Sequence, residues 1–227
     1  MKTQTQTEPV SYQAPDGCII RGLVYVPENA NGTAVICLHQ LRLDHASYAR
    51  FASELCARGF LVLTPDVRGH GQSTQKANEV LSFESMTEDE FKKIPGLDIE
   101  AAKTFLVNTY KVDPENIGLV GASIGANAVL ISAGRNPQTK FVVALSAGLD
   151  YRGIQPTNEV AQIQKPTILV TAQGDTYSAA SSQELFENIP TKNKHIEILD
   201  SSAHGTALLE DENIEQRVLD WISKVGE

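Results

Sequence analysis

The sequence predicts an α/β fold: an open, mostly parallel sheet of about eight strands with helices on both faces. Two observations carry that expectation. Short, continuous apolar runs, as expected of strands buried on both faces, alternate with longer stretches of helical periodicity. No repeat, low-complexity tract or linker interrupts the alternation, so residues 9–227 read as one domain behind a polar lead at 1–8.

Taken in order, residues 10–14 and 18–26 flank Pro15-Asp16-Gly17, a turn tripeptide, and predict an antiparallel hairpin. The apolar run at 33–38 is a buried strand that ends at His39-Gln40-Leu41-Arg42. A helix then runs from His45 to about Arg58, with Asp44 as its N-cap and Gly59 as its stop. Residues 60–64 form the next strand, and the glycines of 66–73 predict a tight loop held in part by Arg68 and His70. Residues 74–96 read as a polar surface excursion with one helical turn near Glu88-Asp89-Glu90. Asp98 caps a helix to about Tyr110, with Ile99, Ala102, Phe105 and Leu106 on one face.

The second half repeats the pattern. A strand ends at Gly121, and the small and apolar residues after Ser123 predict a buried helix. Strands follow at 141–145, 167–171 and 195–199, with a helix at about 179–188 between the last two. A helix at about 213–224 closes the chain, with Val218, Trp221, Ile222 and Val225 inward. The connection at 150–165 is too short for a lid of several helices.

Composition narrows the function classes. The chain has 227 residues and a net charge of −9, from 28 acidic against 19 basic residues. Nucleic acid and anionic membranes both call for a basic face, so neither is an expected partner. No run reaches the length of a membrane span. The three cysteines, at 18, 37 and 56, match no zinc spacing and read as reduced structural thiols. The chain is therefore expected to be cytoplasmic, with an exported mature chain as the alternative. No metal cluster, dinucleotide fingerprint or phosphate loop appears, so no cofactor and no metal are expected. Oligomeric state is not legible.

The chemistry gathers at Gly121-Ala122-Ser123-Ile124-Gly125. A strand, a sharp turn and a helix place Ser123 at a helix N-terminus, in the G-x-S-x-G context of a nucleophilic serine. A serine hydroxyl needs a base within reach, and histidine is the usual one. Of the five histidines, His204 follows the last strand, on the sheet edge where Ser123 sits. His195 opens a strand and falls at the opposite edge. His45 reads as a surface residue, and His39 as one that shapes its loop. An acid must fix the imidazole tautomer. Asp175, after the second-to-last strand, is the first choice; Asp150 competes, and Asp200 is too close in sequence to His204. Oxyanion donors are expected from the backbone N–H of Ile124 and of Leu41, with Gln40 as the near alternative. A small-molecule substrate follows.

On these residues the chain resembles an α/β-hydrolase of the dienelactone-hydrolase and small serine esterase branch. The markers are Asp66-Val-Arg-Gly-His-Gly-Gln-Ser73, the turn at 121–125, Gly174-Asp175 and Ala203-His204-Gly205. The resemblance implies the α/β-hydrolase fold with a minimal cap, and cleavage of carboxylic esters of short to medium acyl chains through an acyl-enzyme. Two departures stand out. Relatives commonly read His-Gly after the first long strand, where this chain has His39-Gln40, and dienelactone hydrolases proper carry cysteine where this chain has Ser123. Leu43, Ile154 and His70 are candidate substrate contacts. The same machinery would serve a thioesterase, an amidase or aminopeptidase, or an acyltransferase. A non-catalytic ligand-binding protein on this scaffold is the remaining alternative.

Overall fold

Pro15-Asp16-Gly17 makes the turn its residues suit: Gly17 adopts φ +84°, and β1 (Gln6–Gln13) pairs antiparallel with β2 (Cys18–Val26). The computed structural model describes residues 6–226, so residues 1–5 of the polar lead lie outside it. Residues 6–8 are not lead but strand, since β1 begins at Gln6.

Three strands build the first half of the sheet. β3 (Ala34–Leu38) and β4 (Leu61–Pro65) are fully buried and parallel, and β2 runs antiparallel along β4. Between β3 and β4 the predicted helix is divided into a 3-10 turn over His45–Tyr48 and α1 (Ala49–Ala57). Asp44 caps the turn through Ala46 N–H, and Gly59 ends the unit at φ +91°.

The 74–96 excursion is more ordered than its polar sequence suggests. β5 (Gln75–Lys76) and β6 (Glu79–Val80) form a short hairpin on β2, followed by α2 (Glu88–Phe91) and a π-turn over Ile94–Asp98. The sheet consequently has ten strands among the described residues, not about eight. The organising residue is Arg68, fully buried. Its guanidinium donates to Asp98 Oδ2 (2.8 Å), Asp16 Oδ2 (2.9 Å) and Glu90 Oε2 (3.1 Å). Asp98 is thus spent on Arg68 and makes no side-chain cap to α3 (Ile99–Tyr110), a correction to the expected N-cap.

β7 (Ile117–Ala122), β8 (Val142–Leu145), β9 (Thr167–Ala172) and β10 (Lys194–Leu199) add parallel strands outward from β3. The strand order is β10-β9-β8-β7-β3-β4-β2-β5-β6, with β1 on β2. α4 (Ile124–Arg135) and α6 (Thr176–Asn188) pack with α3 on one face, together with α5 (Thr157–Val160), a single turn in the β8–β9 connection. α6 starts three residues earlier than expected, with Asp175 at its N-cap position. α1 and α7 (Glu212–Gly226) cover the opposite face, where Ile214, Val218, Leu219 and Ile222 are buried; Trp221 and Val225 are only partly so.

After β3 the chain goes first to β4 on one side and then to β7 on the other. The strand order reverses between β3 and β7, and the crevice beyond their C-terminal ends is where such sheets place ligands. The loops that leave these two strands carry Gln40 and Ser123.

Candidate active site

Ser123 follows β7 at φ 54°, ψ −114°, and α4 starts at the next residue. A left-handed backbone at a residue with a side chain costs on the order of 1–3 kcal/mol, and its surroundings must enforce it. Two glycines allow the close approach. A Cβ on Gly121 would collide with the Gly125 carbonyl, and one on Gly125 with the carbonyls of Leu38 and His39. Ser123 N–H donates to Leu145 O at 2.8 Å, which ties the turn to β8.

His204 stands on the loop after β10, its side chain 38% exposed, and its Nδ1 lies 2.6 Å from Asp175 Oδ2. Burial on its own would raise the Asp175 pKa. Hydrogen bonds from Ser178 and His204, with the attraction of a charged imidazole, outweigh burial and hold the carboxyl below its usual range. Asp150 reaches Gly153 N–H and Gln155 Nε2 instead of the histidine. Ser123 and His204 line one cavity of about 310 Å³ with Gln40, Leu41, Ile124 and Tyr151. The structure records no hydrogen bond between the serine and histidine side chains.

The two expected oxyanion donors lie on this cavity. Ile124 is the first residue of α4, so its N–H has no intrahelical partner, and Leu41 N–H has none among the described residues. Three candidate substrate contacts lie elsewhere. Leu43 lines a neighbouring cavity of about 420 Å³ with Phe51 and Thr206. Ile154 is buried, and its carbonyl accepts Asn127 Nδ2–H at 2.7 Å. His70 is 2% exposed, stacked on Phe83 and edge-on to His39, so it packs loops together and is shut off from the cavity.

The other histidines lie away from this cavity. His39 Nδ1–H donates to Gln40 O at 2.8 Å, and its Nε2 accepts Val67 N–H at 2.9 Å. Burial pushes its pKa down to about 4, which keeps it neutral and fits the role of shaping the loop. His45, expected at the surface, instead bonds Asp66 Oδ1 through Nδ1 at 2.6 Å. The carboxylate of Asp66 also accepts the His45 and Gln72 amides, so His45, Asp66 and Gln72 form a tie between loops. His195 is exposed and faces Glu197 at 3.0 Å.

Sequence reasoning missed Tyr151. Its hydroxyl is 2.8 Å from Ser178 Oγ, its ring lies edge-on to His204 with centroids 6.2 Å apart, and it lines the same cavity as Ser123. Burial raises its pKa. The available signal was its place just beyond a buried parallel strand, on the same sheet edge as Ser123, Asp175 and His204.

A parallel sheet wound to both sides of β3, with a strained serine at the switch point and a histidine–aspartate pair across the crevice, defines an α/β-hydrolase. Residues 20–217 match the dienelactone hydrolase family, and the chain belongs to it. Among solved structures, an esterase of Pyrococcus furiosus, Pf2001, superposes with a TM-score of 0.80 at 20% identity, covering 98% of this chain and 94% of that one. A dienelactone hydrolase of Anabaena variabilis superposes at 0.71, again at 20% identity, over 98% and 97% of the two chains. A thiohydrolase of Arthrinium phaeospermum, apmlB, is 30% identical over 140 residues, which are 61% of this chain and 42% of the relative. The match thus spans about two-fifths of the length of that protein. No described helix is long and apolar enough to cross a membrane.

Proposed function

We propose that this chain hydrolyses carboxylic esters, with Ser123 as nucleophile, His204 as base and Asp175 as the group that orients the base. The observation that carries the reading is the 2.6 Å His204–Asp175 bond on the same cavity as a serine held at φ 54°. With Nδ1–H committed to the carboxylate, His204 Nε2 is free to take the serine proton. Ser123 Oγ attacks the ester carbonyl, and the N–H groups of Ile124 and Leu41 hold the oxyanion. Protonated His204 passes its proton to the leaving alcohol, and an acyl-Ser123 ester remains. Water, deprotonated by the same imidazole, then releases the acid. The chemistry calls for no cofactor.

The cavity of about 310 Å³ and the single-turn connection above it suit short to medium acyl chains. The test is hydrolysis of p-nitrophenyl acetate, butyrate, octanoate and palmitate by wild type beside Ser123→Ala. The reading expects an optimum at or below octanoate and loss of turnover in the variant. A variant that retained turnover would overturn the serine mechanism. Thioester hydrolysis is the second reading, favoured by the 30% identity to a protein named a thiohydrolase. A higher kcat/KM for an acyl thioester than for the matched oxygen ester would select it.

A further inference from the structure

We infer that the Gln40 side chain is a positioning residue, whose carbonyl oxygen ties the loop after β3 to the loop that carries His204. The inference rests on the Ser123–His204–Asp175 reading above. Gln40 Oε1 accepts Thr206 N–H at 2.7 Å and Thr206 Oγ1–H at 3.1 Å. Gly205, at φ +62°, leaves room for that oxygen, since a Cβ there would collide with it. The backbone just past His204 is therefore shaped around the head of the glutamine.

The neighbouring amide is held in the same manner. Gly205 N–H donates to Ser146 Oγ at 2.9 Å, and Ser146, just beyond β8, itself sits at φ 52°. Two consecutive amides after the base are thus taken by side chains from two other strand-end loops. The last backbone bond to the β9 side is Gly174 N–H to Ser201 O at 2.8 Å, so from His204 onward these side-chain bonds tie the backbone to the neighbouring loops, while Asp175 fixes the ring. Gln40 is itself anchored, because its carbonyl accepts His39 Nδ1–H and, at 3.3 Å, Leu43 N–H. Its neighbour Leu41 supplies the proposed loop donor to the oxyanion. One side chain consequently sets the distance between the base and the oxyanion donor. A glycine at position 40 would supply no such tie.

The experiment compares Gln40→Met, which keeps the length and removes the acceptor, with Gln40→Glu, which keeps an acceptor in place. The full chain is assayed on p-nitrophenyl butyrate across pH, with thermal midpoints and Ser123→Ala in parallel. Gln40→Met should lose kcat on the order of ten- to a hundredfold with KM little changed, since small misplacements of a base carry that cost. Gln40→Glu should recover most of that loss. Its carboxylate would add to Asp175 among the groups around His204, with Tyr151 edge-on and Arg42, Asp150 and Arg152 on the cavity. The acid limb of kcat/KM should therefore move to higher pH. A folded Gln40→Met with wild-type kcat would overturn the inference, as would Gln40→Glu falling as far as Gln40→Met. If Gln40→Met fails to fold, Gln40→Glu decides: a shifted limb supports the tie, and an unmoved one overturns it. Turnover retained in Ser123→Ala would remove the underlying mechanism as well. A dead Ser123→Ala beside unaffected Gln40 variants would remove the Gln40 role alone.

Discussion

Asp175 meets His204 through one short bond, and in the proposed mechanism that bond fixes which imidazole nitrogen is offered to the serine. Asp175→Asn keeps the shape but offers an amide that can hold the ring in the wrong tautomer. Steady-state assays at pH 8 should show kcat lower by on the order of 10⁴-fold, with KM within a few-fold of wild type. The Asp175 carboxyl is held below its ordinary range, so loss of activity between pH 7 and 5 would not report its protonation. At this scale much of the site was legible in the sequence. Ser123 and Asp175 each follow an apolar run that reads as a buried strand, His204 follows the alternating, half-buried β10, and strand ends share an edge in a parallel sheet. The side-chain contacts of Gln40 and Tyr151 were not legible. What they touch depends on how two loops fold over the edge, and no periodicity encodes that.

Among the elements, the loop of 66–73 and the excursion of 74–96 stand or fall with Arg68. Removing the guanidinium would leave Asp98, 5% exposed, as an uncompensated buried charge. Arg68→Met should therefore cost about 3–5 kcal/mol, read as a lower midpoint in urea, with cleavage by trypsin speeded between 74 and 96. An unchanged midpoint would refute the clamp. The sequence shows why this region read as surface: it is polar, and its order comes from ion pairs between residues far apart in the chain. Glu90 illustrates the point. Despite partial burial, bonds from Lys76 and Lys93 draw its pKa down to about 2. Asp98 was misread for the same reason, because an aspartate ahead of a helix looks like a cap until a buried arginine claims it. The strands with strong apolar patterns, β3, β4, β7, β8 and β9, were readable because burial on both faces leaves few other arrangements. At the turn into α4, Gly125→Ala would drive a methyl group into the Leu38 and His39 carbonyls. The expected outcome is loss of soluble, cooperatively unfolding protein, checked by circular dichroism.

For the molecule as a whole, two buried neutral histidines link stability to acidity. Burial lowers the pKa of His39 to about 4 and also depresses that of His70. Between pH 6.5 and 4 the unfolded chain therefore binds protons that the folded chain refuses, and stability falls as the pH drops through that window. His39 alone should contribute a loss of about 3 kcal/mol by pH 4. Urea midpoints from pH 7.5 to 4.5 test this, and His39→Gln should flatten the slope if the variant folds. A slope equal to that of wild type would contradict the assignment.

The connection between β8 and β9 bears on kinetics as well as on shape. It contains one turn of helix, α5, and leaves open the cavity that the buried Ser123 lines. Among the described residues this connection offers no flap for an oil–water boundary to lift. Initial rates on a sparingly soluble triglyceride such as tributyrin should follow ordinary saturation and flatten at the solubility limit. A jump in rate on crossing into emulsion, the behaviour of lipases that are switched on at interfaces, should be absent.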